Sequence, residues 1–294
     1  MSVAVYAEKF SRLNVNVSRA RASPHKICML LAVLDLARGG GLPENRIRYE
    51  PMLLERYRRF FDAVSTQGDH PNPYFPFFHL AGDLRGKEES FWTLKAAAGR
   101  EAVLAAMSTA RSARDITDNI DHAELDPALF DLLQDPVAID ALTEALGRQW
   151  FGRGLEDLAT VVERSAAVSQ YERRIRSHEF DRNVRDAPPP AYIRDPAFRR
   201  VVIQAYDYRC AATGVRVVLP SGEAMVEAAH IHPFSVAGDD DPCNGLALTP
   251  DMHWAMDKDL IAPGPDLKWH VSRMLDPRIP DFKALCDLSG RPLI

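Results

Sequence analysis

The segment Val226–Leu260 reads VEAAHIHPFSVAGDDDPCNGLALTPDMHWAMDKDL and contains three residues of particular interest, His230, Asn244 and His253. It begins within the run 224–231, which is apolar apart from Glu227 up to His-Ile at 230–231 and is followed by His-Pro at 232–233. A proline at that place ends a strand, because it cannot donate a hydrogen bond to the ladder. We therefore predict a short strand that carries His230 near its end.

The remainder of this segment predicts a loop, a second strand and a helix. A polar cluster at 239–245, rich in Asp, Asn and Gly, is typical of a turn, and the apolar run 246–248 follows it. Thr-Pro at 249–250 is a typical helix start, with a hydroxyl residue as the cap and proline at the first position. The helix carries His253 and Asp257, and residues four apart lie on the same helical face. Both side chains can therefore point towards the end of the first strand.

These residue types suit the hydrolysis of a phosphodiester. That reaction needs a base for water, a cation that stabilises charge on the phosphate and the leaving oxygen, and a rigid frame. An imidazole titrates near neutrality, so His230 is our candidate base. His253 and Asp257 suit the cation. The side-chain amide of Asn244 can tie the loop so that the imidazole of His230 is aimed.

With its segments AHI at 229–231, NGLAL at 244–248 and HWAMD at 253–257, the chain resembles the HNH endonucleases. The resemblance implies a ββα-metal fold and a divalent metal ion, Mg²⁺ or Mn²⁺, as cofactor. It implies that His230 is the general base and that Asn244 orients the loop or contacts the metal. It also implies that His253 is a metal ligand, with Asp257 as a further candidate. The implied metal-binding set is therefore His253, Asp257 and Asn244.

The chain departs from the usual HNH pattern just before the candidate base. Ala229 stands where the family often has an Asp or His ligand. Glu227 shares a strand face with Ala229 and not with His230, so we expect it to reach the site only if the strand is irregular. The cysteines also lack the CxxC pairs that bind structural zinc in many HNH proteins. They are Cys28, Cys210, Cys243 and Cys286.

The composition indicates a globular protein with two domains. The chain has 294 residues, of which 26% are charged and 46% hydrophobic. It has no apolar run of membrane-spanning length and no signal-peptide pattern, so we expect a cytoplasmic protein without a membrane partner. The net charge of −5 gives no overall attraction to nucleic acid, so binding to double-stranded DNA requires local basic patches. Candidate patches include Arg56, Arg58 and Arg59, and also Arg194, Arg199 and Arg200.

Along the chain, the pattern predicts an α+β fold with two domains and a linker. Helical runs and a hairpin formed by 74–80 and 91–95 predict a winged-helix-like α+β domain over 1–150. We predict a helical linker over 151–190, which ends in Pro188-Pro189-Pro190, and a nuclease domain over 191–294. The long helix expected at 155–181 offers a surface for pairing. Because one ββα site engages one scissile phosphate, we expect a possible homodimer.

Two segments of the first domain predict a binding site for DNA. Ser-Pro-His-Lys at 23–26 starts a helix, and a helix N-terminus with His25 and Lys26 favours a phosphate. Arg21 belongs to the same basic stretch. The second segment, NPYFPFFHL at 72–80, is densely aromatic. Together they resemble the DNA sulfur-binding domain of modification-dependent, type IV-like restriction enzymes.

This second resemblance implies recognition of phosphorothioated DNA. Sulfur in place of a non-bridging oxygen keeps the charge but is larger and less strongly hydrated, so an apolar cup favours it. The resemblance implies that Phe75 and Pro76 form that cup and that His25 and Lys26 hold the remaining oxygens, with His79 beside them. One alternative is an aromatic pocket for a flipped methyl- or hydroxymethylcytosine. Another is a non-catalytic DNA-binding module.

Overall fold

The computed structural model describes residues 2–18, 21–82, 90–177 and 188–294. The chain forms two compact units, the first made of 1–173 and 220–222 and the second of 174–219 and 223–294. Helices alternate with two-stranded antiparallel sheets, which is consistent with the predicted α+β class. No helix among the described residues combines the length and the apolar character needed to cross a membrane.

The first unit is mainly helical. Its helices are α1 (Val3–Ser11), α2 (His25–Arg38), α3 (Pro51–Val64), α4 (Tyr74–His79), α5 (Glu101–Ala106), α6 (Ala113–Asn119), α7 (Pro127–Leu132), α8 (Pro136–Leu146) and α9 (Leu158–Arg176), whose last residues belong to the second unit. Its strands are β1 (Val17–Ser18), β2 (Arg21–Ala22), β3 (Trp92–Ala96) and β4 (Ile120–Leu125).

A buried ion-pair network lies in the interior of the first unit. Asp35 of α2 accepts a hydrogen bond from Arg56 of α3 at 3.1 Å, and Arg56 also donates to Glu172 of α9 at 2.5 Å. All three side chains are almost fully buried. A buried guanidinium requires such partners, because an unpaired buried charge is very costly. Arg56 is therefore not part of the exposed basic patch that the sequence predicted at 56–59, and Arg59 is also partly buried, whereas Arg58 is exposed.

Helix α9 is an integral part of the first unit. Ser165 and Ser169 donate to Asp35 Oδ1 at 2.8 and 2.9 Å, and both serines are buried. This packing differs from the free connecting helix expected within 151–190. The buried face of α9, which includes Ser165 and Ser169, is therefore not available for contact between two copies of the chain. The expected continuation to Asp181 lies outside the described residues.

The predicted hairpin between 74–80 and 91–95 is wrong. Residues Tyr74–His79 form α4, and β3 pairs instead with β4, in a register that joins Trp92 to Leu125. Aromatic residues favour strands, but helical spacing here buries Phe77 and Phe78 on the inner side of α4. The indole of Trp92 donates to the carbonyl of Phe77 at 3.0 Å and so joins β3 to α4. The winged-helix prediction was based on this hairpin, so the structure does not support it.

The second unit contains a strand, loop, strand and helix in the order expected from the sequence. Its helices are α10 (Ala191–Ala205), α11 (Phe234–Ala237), α12 (Pro250–Asp257) and α13 (Lys283–Cys286). Its strands are β5 (Glu227–His230), β6 (Gly245–Leu248), β7 (Ile261–Pro263) and β8 (Trp269–Val271).

Strands β5 and β6 are antiparallel, with His230 opposite Gly245. The small apolar residues of both strands, such as Ala229 and Ala247, pack into a core with Met252 and Ala255 of α12. This core fixes α12 against the strand pair. It thereby brings the polar residues at the end of β5 close to one face of α12.

Candidate active site and a second cleft

A cleft of about 530 Å³ in the second unit brings together four of the chemically important side chains. Glu227 and His230 come from the two ends of β5, and His253 and Asp257 come from one face of α12. Helix α10 forms another wall of the cleft. The sequence predicted the meeting of His230, His253 and Asp257, and the structure places all three in this cleft.

His230 is bound to a buried carboxylate. Its Nε2 lies 2.8 Å from Oδ1 of Asp240, which is only 1% exposed. The same oxygen accepts from Nη1 of Arg194 at 3.0 Å. Sequence reasoning placed Asp240 only in a turn. No local signal distinguishes it from the aspartates on either side, since burial alone separates them.

His253 lies between two carboxylates. Its Nδ1 is 2.9 Å from Glu227 Oε2, and its Nε2 is 3.8 Å from Asp257 Oδ2. Glu227 thus reaches the cleft, although strand alternation placed it on the face of Ala229. It is the first residue of β5 and is exposed, so its long side chain can extend towards α12.

Asn244 ties the loop between the two strands. Its Oδ1 accepts from the backbone of His232 at 2.8 Å, and its Nδ2 donates to the carbonyls of His232 at 3.0 Å and Asp239 at 3.1 Å. The side chain is buried and does not line the cleft. Because the side chain is buried and lies outside the cleft, the structure favours the loop-orienting role for Asn244 over the metal contact that the sequence also suggested.

The donor chemistry around His253 suits a hard divalent cation. Glu227 and Asp257 supply carboxylate oxygens and His253 supplies an imidazole, which are ligand types that Mg²⁺ and Mn²⁺ accept. Within the described ranges, no three His, Cys, Asp or Glu side chains are already arranged to hold a metal ion. The three residues are therefore a chemically fitting donor set, in which His253 is hydrogen-bonded to Glu227 and lies at ion-pair distance from Asp257.

A second cleft, of about 610 Å³, lies in the first unit. It brings together His25 and Lys26 from the start of α2 with Phe75 and His79 from α4. The described residues that line it include no Asp or Glu. They are Asn14, Val15, Asn16, Ser23, His25, Lys26, Asn72, Phe75 and His79.

The histidines of this second cleft have neutral partners. His25 lies 3.1 Å from the hydroxyl of Ser23 and 3.0 Å from the carbonyl of His70. His79 Nε2 lies 3.0 Å from the hydroxyl of Thr109. Burial, and next the charge of Lys26, hold the pKa of His79 below its usual value. His79 is therefore neutral at neutral pH.

Two residues predicted for the DNA site lie elsewhere. Pro76 is buried inside α4 and does not line the second cleft, so the apolar wall comes from Phe75, which is 44% exposed. Arg21 is also absent from the lining, and its Nη2 forms an ion pair with Asp69 at 2.8 Å. Helical geometry explains the first difference, because consecutive residues of α4 point about 100° apart.

The match to a known family falls on the unit that contains the first cleft. Residues 210–262 match the family model described as HNH endonuclease. No curated protein matches the chain. The matched segment includes β5, β6 and α12, and therefore His230, Asn244 and His253. Residues 210–262 are therefore similar to HNH endonuclease domains, and this similarity supports a DNA nuclease as the general kind of enzyme.

Proposed function

We propose that the chain is a metal-dependent endonuclease that binds phosphorothioated DNA through its first unit and cleaves it with the second. The observation that supports cleavage best is the cleft shared by His230, Glu227, His253 and Asp257. In this cleft the candidate base His230 and Glu227 come from β5, and His253 and Asp257 come from α12. Such a protein restricts modified DNA.

In the proposed reaction, His230 takes a proton from the attacking water. Glu227, His253 and Asp257 would hold the divalent ion. When bound, this ion supplies positive charge to the phosphate and the leaving oxygen. Asn244 keeps the loop closed between His232 and Asp239, and so keeps the end of β5 in place.

The second cleft supports a role in binding the modified backbone. Its charged and polar lining, with Lys26 and His25 at a helix start, suits a phosphate. The exposed ring of Phe75 gives an apolar contact for a weakly hydrated sulfur atom. We therefore assign charge recognition to Lys26 and sulfur recognition to Phe75.

A modified base is the alternative ligand for this cleft. The rings of Phe75 and His79 lie 4.3 Å apart, and an exposed aromatic ring can also stack on a flipped cytosine. A non-catalytic DNA-binding module is the second alternative. The cleft beside β5 disfavours this second alternative, because DNA binding alone does not require a histidine such as His230 that is bound to a buried carboxylate.

One experiment separates these functions. The whole chain is incubated with phosphorothioated, cytosine-modified and unmodified plasmids, each with Mg²⁺, Mn²⁺ or a chelator. Our proposal expects cleavage of the phosphorothioated plasmid alone, and only with metal. Cleavage of the cytosine-modified plasmid alone would support the base reader, and binding without any cleavage would support the module.

The proposal includes a homodimer that cuts both strands. Each copy contains one cleft of this kind among its described residues, and one site engages one scissile phosphate. Sedimentation of the chain with and without DNA tests the pairing. A strict monomer in both conditions that still makes double-strand breaks would contradict it.

A further inference from the structure

The imidazole of His230 is held by a hydrogen bond whose direction can be assigned. Oδ1 of Asp240 lies 2.8 Å from His230 Nε2 and 3.0 Å from Arg194 Nη1. A guanidinium only donates, and a carboxylate beside it is ionised and only accepts. Nε2 of His230 therefore carries a proton and donates it to Asp240. In the neutral ring, the lone pair is then on Nδ1.

The plane of the same imidazole is fixed by an aromatic ring. Phe198 of α10 stacks on His230 with ring centroids 3.9 Å apart and an angle of 3° between the planes. Gly245, opposite His230 in the strand pair, makes room for this stack. A Cβ at position 245 would lie 2.9 Å from Cζ of Phe198 and 2.4 Å from Cγ2 of Val202. A side chain at position 245 would therefore require Val202 and Phe198 to shift.

We propose that Asp240 and Phe198 are positioning residues that fix His230 with Nε2 bound and Nδ1 presented to water. This inference rests on the proposed role of His230 as base. The stack sets the plane of the ring, and the hydrogen bond sets its direction within that plane. Both act on the candidate base and neither needs to touch DNA.

The inference extends the nuclease site beyond the matched family segment. Phe198 and Arg194 belong to α10, which precedes residue 210. The other charged or titratable side chains that line the cleft are Arg199, Asp195, Glu227, His253 and Asp257. Of the described groups, Asp240 is the one within hydrogen-bonding distance of His230. A fragment that lacks α10 would therefore keep the His-Asn-His residues and Asp240 but lose the Phe198 ring that stacks on the base.

Two variants of Asp240 separate the hydrogen bond from the charge. Asp240→Ala removes both, and we expect kcat to fall roughly 10–100-fold, as for other residues that orient an active-site group. KM and DNA affinity should not change, since Asp240 is buried. Asp240→Asn keeps an oxygen that Arg194 can orient and that still accepts from both donors. It should therefore retain more activity than the alanine variant.

Asp195→Ala is the matched control. Asp195 lines the same cleft and forms an ion pair with Arg194 at 2.6 Å, but it does not contact His230. It is an exposed partner, so we expect its loss to change kcat by no more than about threefold. Thermal unfolding of each variant identifies any that fail to fold.

A spectroscopic measurement tests the positioning without metal or DNA. In the protein with ¹⁵N-labelled histidine, the Nε2 proton of His230 should give a low-field resonance protected from exchange. It should be absent from His230→Ala, lost in Asp240→Ala and kept in Asp240→Asn. Phe198→Leu should keep the resonance but lower kcat.

The outcomes distinguish this inference from the proposed function. If the natural chain cleaves DNA and His230→Ala does not, full activity of Asp240→Ala overturns the positioning role. A loss in KM alone, or a resonance that survives Asp240→Ala, also overturns it. If His230→Ala still cleaves, the assignment of the base fails and the positioning role fails with it.

Discussion

Each of the two clefts contains two histidines, but their partners differ in charge. In the second unit, His230 is bound to Asp240 and His253 to Glu227. In the first unit, His25 is bound to a hydroxyl and a backbone carbonyl, and His79 to a hydroxyl. Carboxylates attract cations and repel phosphate, whereas a cleft that has Lys26 and no carboxylate among its described lining residues attracts phosphate. We therefore interpret the histidines of the first cleft as candidates for catalysis and cation binding, and those of the second cleft as candidates for binding an anion.

From this comparison we expect the largest change in cleavage rate when the proposed base, His230, is removed. His230→Ala should lower the cleavage rate by about 10²–10⁴-fold, the usual contribution of a general base. DNA affinity should stay nearly constant, since we propose that the first unit supplies it. The measurement is cleavage rate and DNA affinity on the same substrate. His270→Ala, an exposed histidine paired with Asp266 in the same unit, is the control. Parallel losses of cleavage and affinity in His230→Ala would contradict a role in chemistry.

The next prediction concerns the cation. His253→Ala should weaken Mn²⁺ binding at least about tenfold, the lower range found for changes around a metal ligand. Isothermal titration measures this directly, with His270→Ala again as the control. Cleavage should fall with metal occupancy and recover in part at higher Mn²⁺ concentration. Unchanged Mn²⁺ affinity would remove His253 from the donor set and weaken the contrast between the clefts.

The third prediction tests the anion-binding cleft with two variants. Lys26→Ala should weaken binding to plain and phosphorothioated DNA alike, and the slope of log affinity against log salt should fall by about one. Phe75→Ala should weaken binding to phosphorothioated DNA more than to plain DNA, because it removes the apolar contact and leaves the charge. Affinities for both DNAs at two salt concentrations give the result. Equal losses from Phe75→Ala on the two DNAs would favour a packing role or a modified-base ligand.

The strand–loop–strand–helix was readable from the sequence, because its signals are local. Pro233 ends the first strand region, the Asp-Asn-Gly cluster marks the loop, and Thr249-Pro250 begins α12. The family match to residues 210–262 agrees with the HNH resemblance on these elements. Local chemistry therefore predicted that His230, His253 and Asp257 meet, and it predicted the ends of the elements to within three residues.

The parts that failed depend on long-range packing. Nothing near Phe198 indicates that it stacks on His230, and nothing near Asp240 separates it from its neighbours in the run 239–241. The basic run that contains Arg56 was interpreted as surface, because its acidic partners lie far away in the sequence. The aromatic run at α4 has strand propensity, and its burial against the rest of the first unit determines a helix instead.

The smallest expected effect is the contribution of His79 to the pH dependence of the protein's stability. Its pKa is held below the usual value by burial and then by Lys26, so the folded protein binds a proton there less readily than the unfolded chain. Below the unfolded pKa of about 6.5, the unfolded state gains that proton first, and stability falls as the pH falls towards the folded pKa. Above this window the effect is absent.

His79→Gln retains a polar group near Thr109 but cannot titrate, so its midpoint of thermal unfolding should fall less than that of the natural chain between pH 7 and pH 5. His270→Gln, in the other unit and exposed, should follow the natural chain. If His79→Gln also follows it, His79 is not held neutral in the second cleft, and the charge contrast with the carboxylate-bound histidines is smaller than the structure indicates.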